Sequence, residues 1–143
     1  MIAYLDTSVV LRILLEQVAP LKEWEDLHAG VASALLRVEC YRSLDRLWQQ
    51  GLVAEEKLAA KSAAIDSLMK RLDLLDVDER VLTIASRPLP TPLGTLDALH
   101  LATAILYREG QPADERPIVF ATHDLALARA AKAMHFDVIG VPV

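Results

Sequence analysis

A single cysteine, Cys40, in 143 residues excludes an internal disulfide and suits a reducing compartment. Its apolar neighbours make simple packing its expected role. The chain also lacks any apolar run approaching the roughly 18 residues that a membrane span requires. No basic leader with an apolar run and a small-residue cleavage site opens it, so a cytoplasmic location without membrane attachment is expected. Positive charge is in deficit, with 15 Lys and Arg against 20 Asp and Glu and a formal net charge of −5. A broadly basic surface coating nucleic acid is therefore excluded, because Lys and Arg supply most non-specific affinity for phosphate. A nucleic-acid enzyme whose metal ions carry the positive charge is not. There is no internal repeat and no low-complexity tract, and the length suits one domain over residues 1–143. A core of that size buries about 68–70% of the unfolded chain's surface, so no covalent staple is needed.

What the chain does contain is an alternation of short apolar runs and helical periodicity. Ile2 to Leu5 reads as a buried strand, Ser8 to Leu15 as a helix with Thr7 or Ser8 as its cap, and Pro20 to Leu27 as a second helix. Gly30 to Ala34 reads as a strand, and Leu36 to Gln50 as a helix ended by Gly51. Glu55 to Arg71 is a further helix, Leu72 to Leu75 a strand, and Asp78 caps a helix through Ala85. Pro88, Pro90, Pro92 and Gly94 mark a loop, after which Leu96 to Glu109 is helical. Ile118 to Ala121 is a strand, Leu125 to Met134 a helix and Phe136 to Ile139 a last strand. Strands separated by helices imply right-handed crossovers and a mainly parallel sheet of about five strands, covered on both faces: an α/β fold.

Two of the strands stop at a hydroxyl residue and a carboxylate. Ile2-Ala3-Tyr4-Leu5 runs into Asp6-Thr7-Ser8, and Ile118-Val119-Phe120-Ala121 into Thr122-His123-Asp124. In a parallel sheet such corners lie along one edge, where ligands bind. Each of these acids also has a plain alternative as a helix cap. Asp97 begins a largely apolar helical face, a poor place for an idle charge, although it also complements a helix N-terminus behind a Thr95 cap. Glu39 flanks the apolar stripe of its helix, with Arg42 three residues on. Arg12, Arg42 and Arg46 are candidates for phosphate contacts. His100 reads as a packed or hydrogen-bonded histidine in preference to a general base, and His123, with no second histidine at metal-ligand spacing, as a non-catalytic residue at the surface or behind the site. Hard oxygen ligands without Cys or His clustering suit Mg²⁺, with Mn²⁺ as a substitute. Such an ion lowers the pKa of a bound water and stabilises a leaving oxygen, so phosphoryl transfer follows.

Four stretches, in order and spanning nearly the whole chain, resemble PIN-domain ribonucleases, and specifically the VapC-type toxins of toxin–antitoxin pairs. They are Tyr4-Leu5-Asp6-Thr7-Ser8, Ser33 to Arg42, Leu96 to Ala104, and Ala121-Thr122-His123-Asp124. The resemblance implies a three-layer α/β/α fold with Asp6, Glu39, Asp97 and Asp124 as an acidic Mg²⁺ site, assisted by Thr7 or Thr122. It also implies an RNA substrate, a homodimer and inhibition by a cognate antitoxin. Leu125-Ala126-Leu127 stands where many relatives carry an aromatic, and Asp114 and Glu115 are further acids in the loop before the strand. Two other classes remain open: a non-catalytic module that binds RNA or protein, and a phosphohydrolase with Asp6 as nucleophile. Against the latter, Ser8 stands where many such hydrolases place a second Asp.

Overall fold

The computed structural model describes residues 1–112 and 118–142. Strands β1 (Ile2–Leu5), β2 (Ala29–Ser33), β3 (Asp73–Leu75), β4 (Val119–Ala121) and β5 (Asp137–Ile139) form one sheet in the order β3-β2-β1-β4-β5. Every pairing is parallel. Parallel neighbours cannot be joined by tight turns, so helices carry the connections. Helix α1 (Thr7–Leu14) follows β1, α2 (Leu35–Gln49) and α3 (Glu55–Arg71) follow β2, α4 (Glu79–Ala85) and α5 (Thr95–Glu109) follow β3, and α6 (Leu125–Ala133) follows β4. Asp114 and Glu115 lie outside the described residues.

The period-two alternation of β1 divides the core into two layers. Ala3 and Leu5 pack with Val9, Val10, Leu36, Cys40, Leu44 and Ile65 beneath α1, α2 and α3. Tyr4 points to the other face, among Val31, Leu101, Ala104, Phe120 and Leu127 beneath α5 and α6. The sheet is thus covered on both sides, as the three-layer expectation requires. Among the described residues no helix is long and apolar enough to cross a membrane.

Local signals set most element ends. Asp78 accepts the backbone N–H groups of Arg80 and Val81 and caps α4. Gly51, with φ of 75°, follows α2 in a backbone region that suits glycine. Acids at Glu55 and Glu56 and bases at Lys70 and Arg71 complement the dipole of α3.

The expected helix over Pro20 to Leu27 is reduced to a short 3₁₀ turn, Trp24–Asp26. The reason lies in the apolar spacing: Leu21, Trp24 and Leu27 recur every third residue and all pack on the core. Only Trp24–Asp26 takes 3₁₀ geometry and Leu27 is already extended, so the segment reaches the core as a strap and not as a continuous helix. At the start of α1 the expected Thr7 or Ser8 cap is also absent. Asp6 stands in the cap position without a side-chain cap bond, and both hydroxyl residues lie inside the helix. Likewise Gly94, not Thr95, precedes α5.

Strand order reverses beside β1. The chain leaves β1 toward β2, whereas β4 lies on the opposite side and leads to β5. Such a switch point opens a crevice at the carboxyl ends of the two strands. The register pairs Leu5 with Ala121, which sets Asp6 next to Thr122 at that edge.

Candidate active site

At the switch point Asp6 is buried, and its backbone N–H extends the ladder to Ala121 O at 3.0 Å. Two hydroxyls fix its side chain. Ser8 Oγ donates to Asp6 Oδ2 at 2.7 Å, and Thr122 Oγ1 donates to the same oxygen at 2.8 Å. Each hydroxyl also accepts a backbone N–H from the following corner: Ser8 Oγ from His123 at 3.0 Å, and Thr122 Oγ1 from Asp124 at 3.0 Å. The ends of β1 and β4 are thereby stitched together through one carboxylate oxygen. Helix capping does not account for Asp6.

Asp124 has a double placement. Its Oδ1 accepts the Leu127 N–H at 2.9 Å and caps α6, and the residue also lines the cleft. Glu39 reaches the cleft from α2, and Asp97 from the first turn of α5. A cleft of about 540 Å³ is lined by Asp6, Glu39, Asp97 and Asp124, so two strand ends and two helices bring the four acids to one surface. Their mutual influence is visible at Asp97. Burial first, then repulsion from Asp6 and Asp124, raises its carboxyl above the ordinary range, and only His100 among the main neighbours opposes this. Among the described residues no three His, Cys, Asp or Glu side chains form a ready-made ion-binding cluster.

His100 is fully enclosed and sits one helical turn beyond Asp97. Its Nε2 lies 2.7 Å from Glu39 Oε1, 3.3 Å from Thr7 Oγ1 and 3.9 Å from Asp6 Oδ1. A carboxylate only accepts, so the proton of this contact belongs to Nε2. The Tyr4 hydroxyl meets Nδ1 at 2.8 Å, and the Tyr4 ring stacks on Phe120 at a centroid distance of 5.2 Å. Burial alone depresses the pKa of His100, but the Glu39 hydrogen bond and the charges of Asp6, Glu39 and Asp97 outweigh it and leave the pKa raised. His123 instead donates from Nδ1 to Gly140 O at 2.6 Å, fastening the end of β4 to the turn after β5.

The arginines divide. Arg42 and Arg46, one turn apart on α2, line the cleft beyond Glu39. Arg42 also pairs with Asp45 at 3.1 Å, an exposed contact of little energetic weight. Arg12 does not line the cleft, and its guanidinium donates to Ala19 O at 3.0 Å. Tyr4 has no place in the sequence reading of the site. Its signal was a phenol in the middle of an aliphatic strand, whose hydroxyl needs a buried partner.

Comparison with known proteins gives a consistent set of relatives. The family model described as PIN domain matches residues 3–133. The chain is 38% identical over 104 residues to Ribonuclease VapC46 of Mycobacterium tuberculosis (strain ATCC 25618 / H37Rv), covering 71% of this chain and 72% of that one. It is 32% identical over 142 residues to Ribonuclease VapC35 of Mycobacterium tuberculosis (strain CDC 1551 / Oshkosh), covering 95% and 94%. Its fold is similar to a chain in the crystal structure of VapBC2 from Rickettsia felis bound to a DNA fragment from their promoter, with a TM-score of 0.66 at 13% identity, covering 96% and 97% of the two chains. A chain in VapBC-5 from Mycobacterium tuberculosis, described as a member of a family of toxin-antitoxin systems, superposes with a TM-score of 0.61 at 16% identity, again covering 96% and 97%.

Proposed function

Because this chain belongs to the PIN-domain family, with VapC ribonucleases among its relatives, we propose that it is a divalent-cation-dependent endoribonuclease and the toxin of a type II toxin–antitoxin pair. The observation that carries this reading is the cleft at the β1–β4 switch point, with Asp6, Glu39, Asp97 and Asp124 on its wall. These four are the metal-holding and catalytic residues.

The donor set fits a hard cation. It offers carboxylate and hydroxyl oxygen and no thiolate facing the cleft, which suits Mg²⁺, or Mn²⁺ in its place. The repulsion felt at Asp97 is the electrostatic counterpart of that fit, since a cation relieves it. When bound, such an ion supplies a Lewis acid that acidifies water and offsets charge developing on a phosphodiester.

The chain's own groups prepare the site. Ser8 and Thr122 occupy Asp6 Oδ2, so the carboxylate is held at the sheet edge instead of rotating to cap α1. Asp124 caps α6 through Oδ1 and also lines the cleft. Glu39 and Asp97 complete the set from α2 and α5, and Arg42 and Arg46 offer guanidinium groups to backbone phosphate beyond the acids. The cleft volume of about 540 Å³ lies within the roughly 300–1,000 Å³ of small-ligand sites, enough for the scissile segment of a single strand.

Asp6→Asn tests the assignment. The variant keeps one amide oxygen that can take the place of Oδ2 and accept from Ser8 and Thr122, so it keeps the folded circular-dichroism spectrum but loses RNA cleavage. Undiminished cleavage by that variant would sink the reading. Trapping of an acyl-phosphate on Asp6 would point instead to the phosphohydrolase class. The cognate antitoxin is a protein whose basic segment complements this acidic cleft, and the toxin itself acts as a homodimer. Co-expression with the product of a small adjacent reading frame should give a copurifying complex, and light scattering on the purified chain reads the dimer.

A further inference from the structure

Among the described residues His100 is the one fully buried histidine, it stands directly behind Glu39 of the cleft wall, and its surroundings give it more than a packing role. It belongs to α5, yet its Nε2 is 2.7 Å from Glu39 on α2 and 3.9 Å from Asp6 after β1. Its other nitrogen is held at 2.8 Å by Tyr4, which is itself wedged against Phe120. A flexible glutamate on a helix surface has three side-chain torsions to settle, and here one rigid, fully buried donor settles them. That donor is in turn oriented by a hydroxyl from the central strand.

We propose that His100 is a positioning residue for Glu39, fixing one carboxylate oxygen so that the glutamate presents a single geometry to a divalent cation, with Tyr4 setting the imidazole's orientation. This rests on the metal-dependent reading above. The arrangement also couples two acids across the cleft: Asp97 and His100 share one face of α5 at a spacing of one turn, so the hydrogen bond to Glu39 ties the Asp97 helix to the Glu39 helix. Groups that orient metal-ligating carboxylates affect affinity by about 10–100-fold when removed.

The test is a Mn²⁺ titration of the metal-free chain, by calorimetry or by electron paramagnetic resonance of the free ion, with no RNA present. His100→Leu should weaken Mn²⁺ binding by about 10–100-fold, whereas His100→Gln, whose amide nitrogen can reach the same carboxylate, recovers most of it. Tyr4→Phe keeps the ring stack and should weaken binding by a smaller factor. In a Glu39→Ala background, His100→Leu and Tyr4→Phe should change the affinity by less than about twofold, because the residue through which they act is gone. Equal losses with and without Glu39 would overturn the positioning role, and so would wild-type affinity in every variant. Should His100→Leu fail to fold, Tyr4→Phe measured with and without Glu39→Ala completes the same cycle. A wild-type chain that binds no Mn²⁺ overturns the metal reading and this inference together, whereas wild-type binding insensitive to the substitutions overturns this inference alone.

Discussion

Thr122→Val removes one oxygen from a fully buried site while keeping its shape, and its consequence can be worked out from two distances. Thr122 Oγ1 donates to Asp6 Oδ2 at 2.8 Å and accepts the Asp124 N–H at 3.0 Å. The first bond has a carboxylate as acceptor, a class that contributes about 1.5–3 kcal/mol, and the part-buried Asp124 N–H loses its acceptor for about 0.5–1 kcal/mol more, roughly 2–4 kcal/mol in all. With an unfolding entropy of about 2.1 cal/mol/K per residue, a chain of 143 residues loses about 3 °C of Tm per kcal/mol, so the expected fall is about 7–13 °C. Thermal unfolding followed by circular dichroism on metal-free protein reads this directly. Ser8→Ala removes a hydroxyl from the same Asp6 oxygen but at a partly exposed position, where water can replace it. Its loss should therefore be smaller. Because the two hydroxyls share one acceptor, the double variant should depart from additivity. A Tm change below about 2 °C for Thr122→Val, together with unaltered Mn²⁺ affinity, would refute the idea that this hydroxyl holds Asp6 in place.

Three further outcomes follow from other parts of the structure. Asp124→Asn keeps the α6 cap and so keeps stability while losing cleavage, whereas Asp124→Ala loses both, with about 1 kcal/mol of stability read from urea unfolding, since Asn caps as well as Asp and Ala does not. Gly140→Ala drives a methyl into the Thr122 carbonyl oxygen at a φ of 103°, and should cost at least about 2 kcal/mol in the same assay and lower cleavage by displacing the strand end that holds Asp6. Cys40 is fully buried, and burial first, then the Glu39 charge, pushes its thiol up to about 12. The thiol therefore stays protonated at pH 8, and a disulfide reagent should label it only as the chain unfolds.

Much of the frame was legible because its signals are local. The α3 boundaries match those read from the sequence, Glu55 to Arg71, since acids, apolar periodicity and bases mark its start, face and end. The cap at Asp78 was legible for the same reason. The segment from Pro20 to Leu27 differs from its expected helix: Pro suits a first helical turn, but only Trp24–Asp26 is helical, as a 3₁₀ turn, while Leu21, Trp24 and Leu27 pack on the core.

The site was legible only as residue types at strand ends and helix starts. Asp6 and Asp124 each had a capping alternative of similar merit, and the structure separates them: Asp6 makes no cap bond and Asp124 makes one. That separation depends on hydroxyls contributed by two corners 116 residues apart. Ser8 stands in the same corner as Asp6, but no local pattern encodes the hydroxyl from Thr122. The same holds for the link from Tyr4 through His100 to Glu39, which joins β1, α5 and α2. The resemblance in four motifs supplied the grouping of the acids, and the sheet order explains why they meet, because β1 and β4 are neighbours at the point where the topology reverses.

The central claim is that the carboxylates around the β1–β4 switch point hold a divalent cation for RNA cleavage. Its most direct test is cleavage of a single-stranded RNA by chain stripped with EDTA, dialysed, and then titrated with Mg²⁺. The stripped protein should be inert, Mg²⁺ should restore cleavage in the wild type, and Asp6→Asn should stay inactive. Cleavage that persists undiminished in excess EDTA would contradict it.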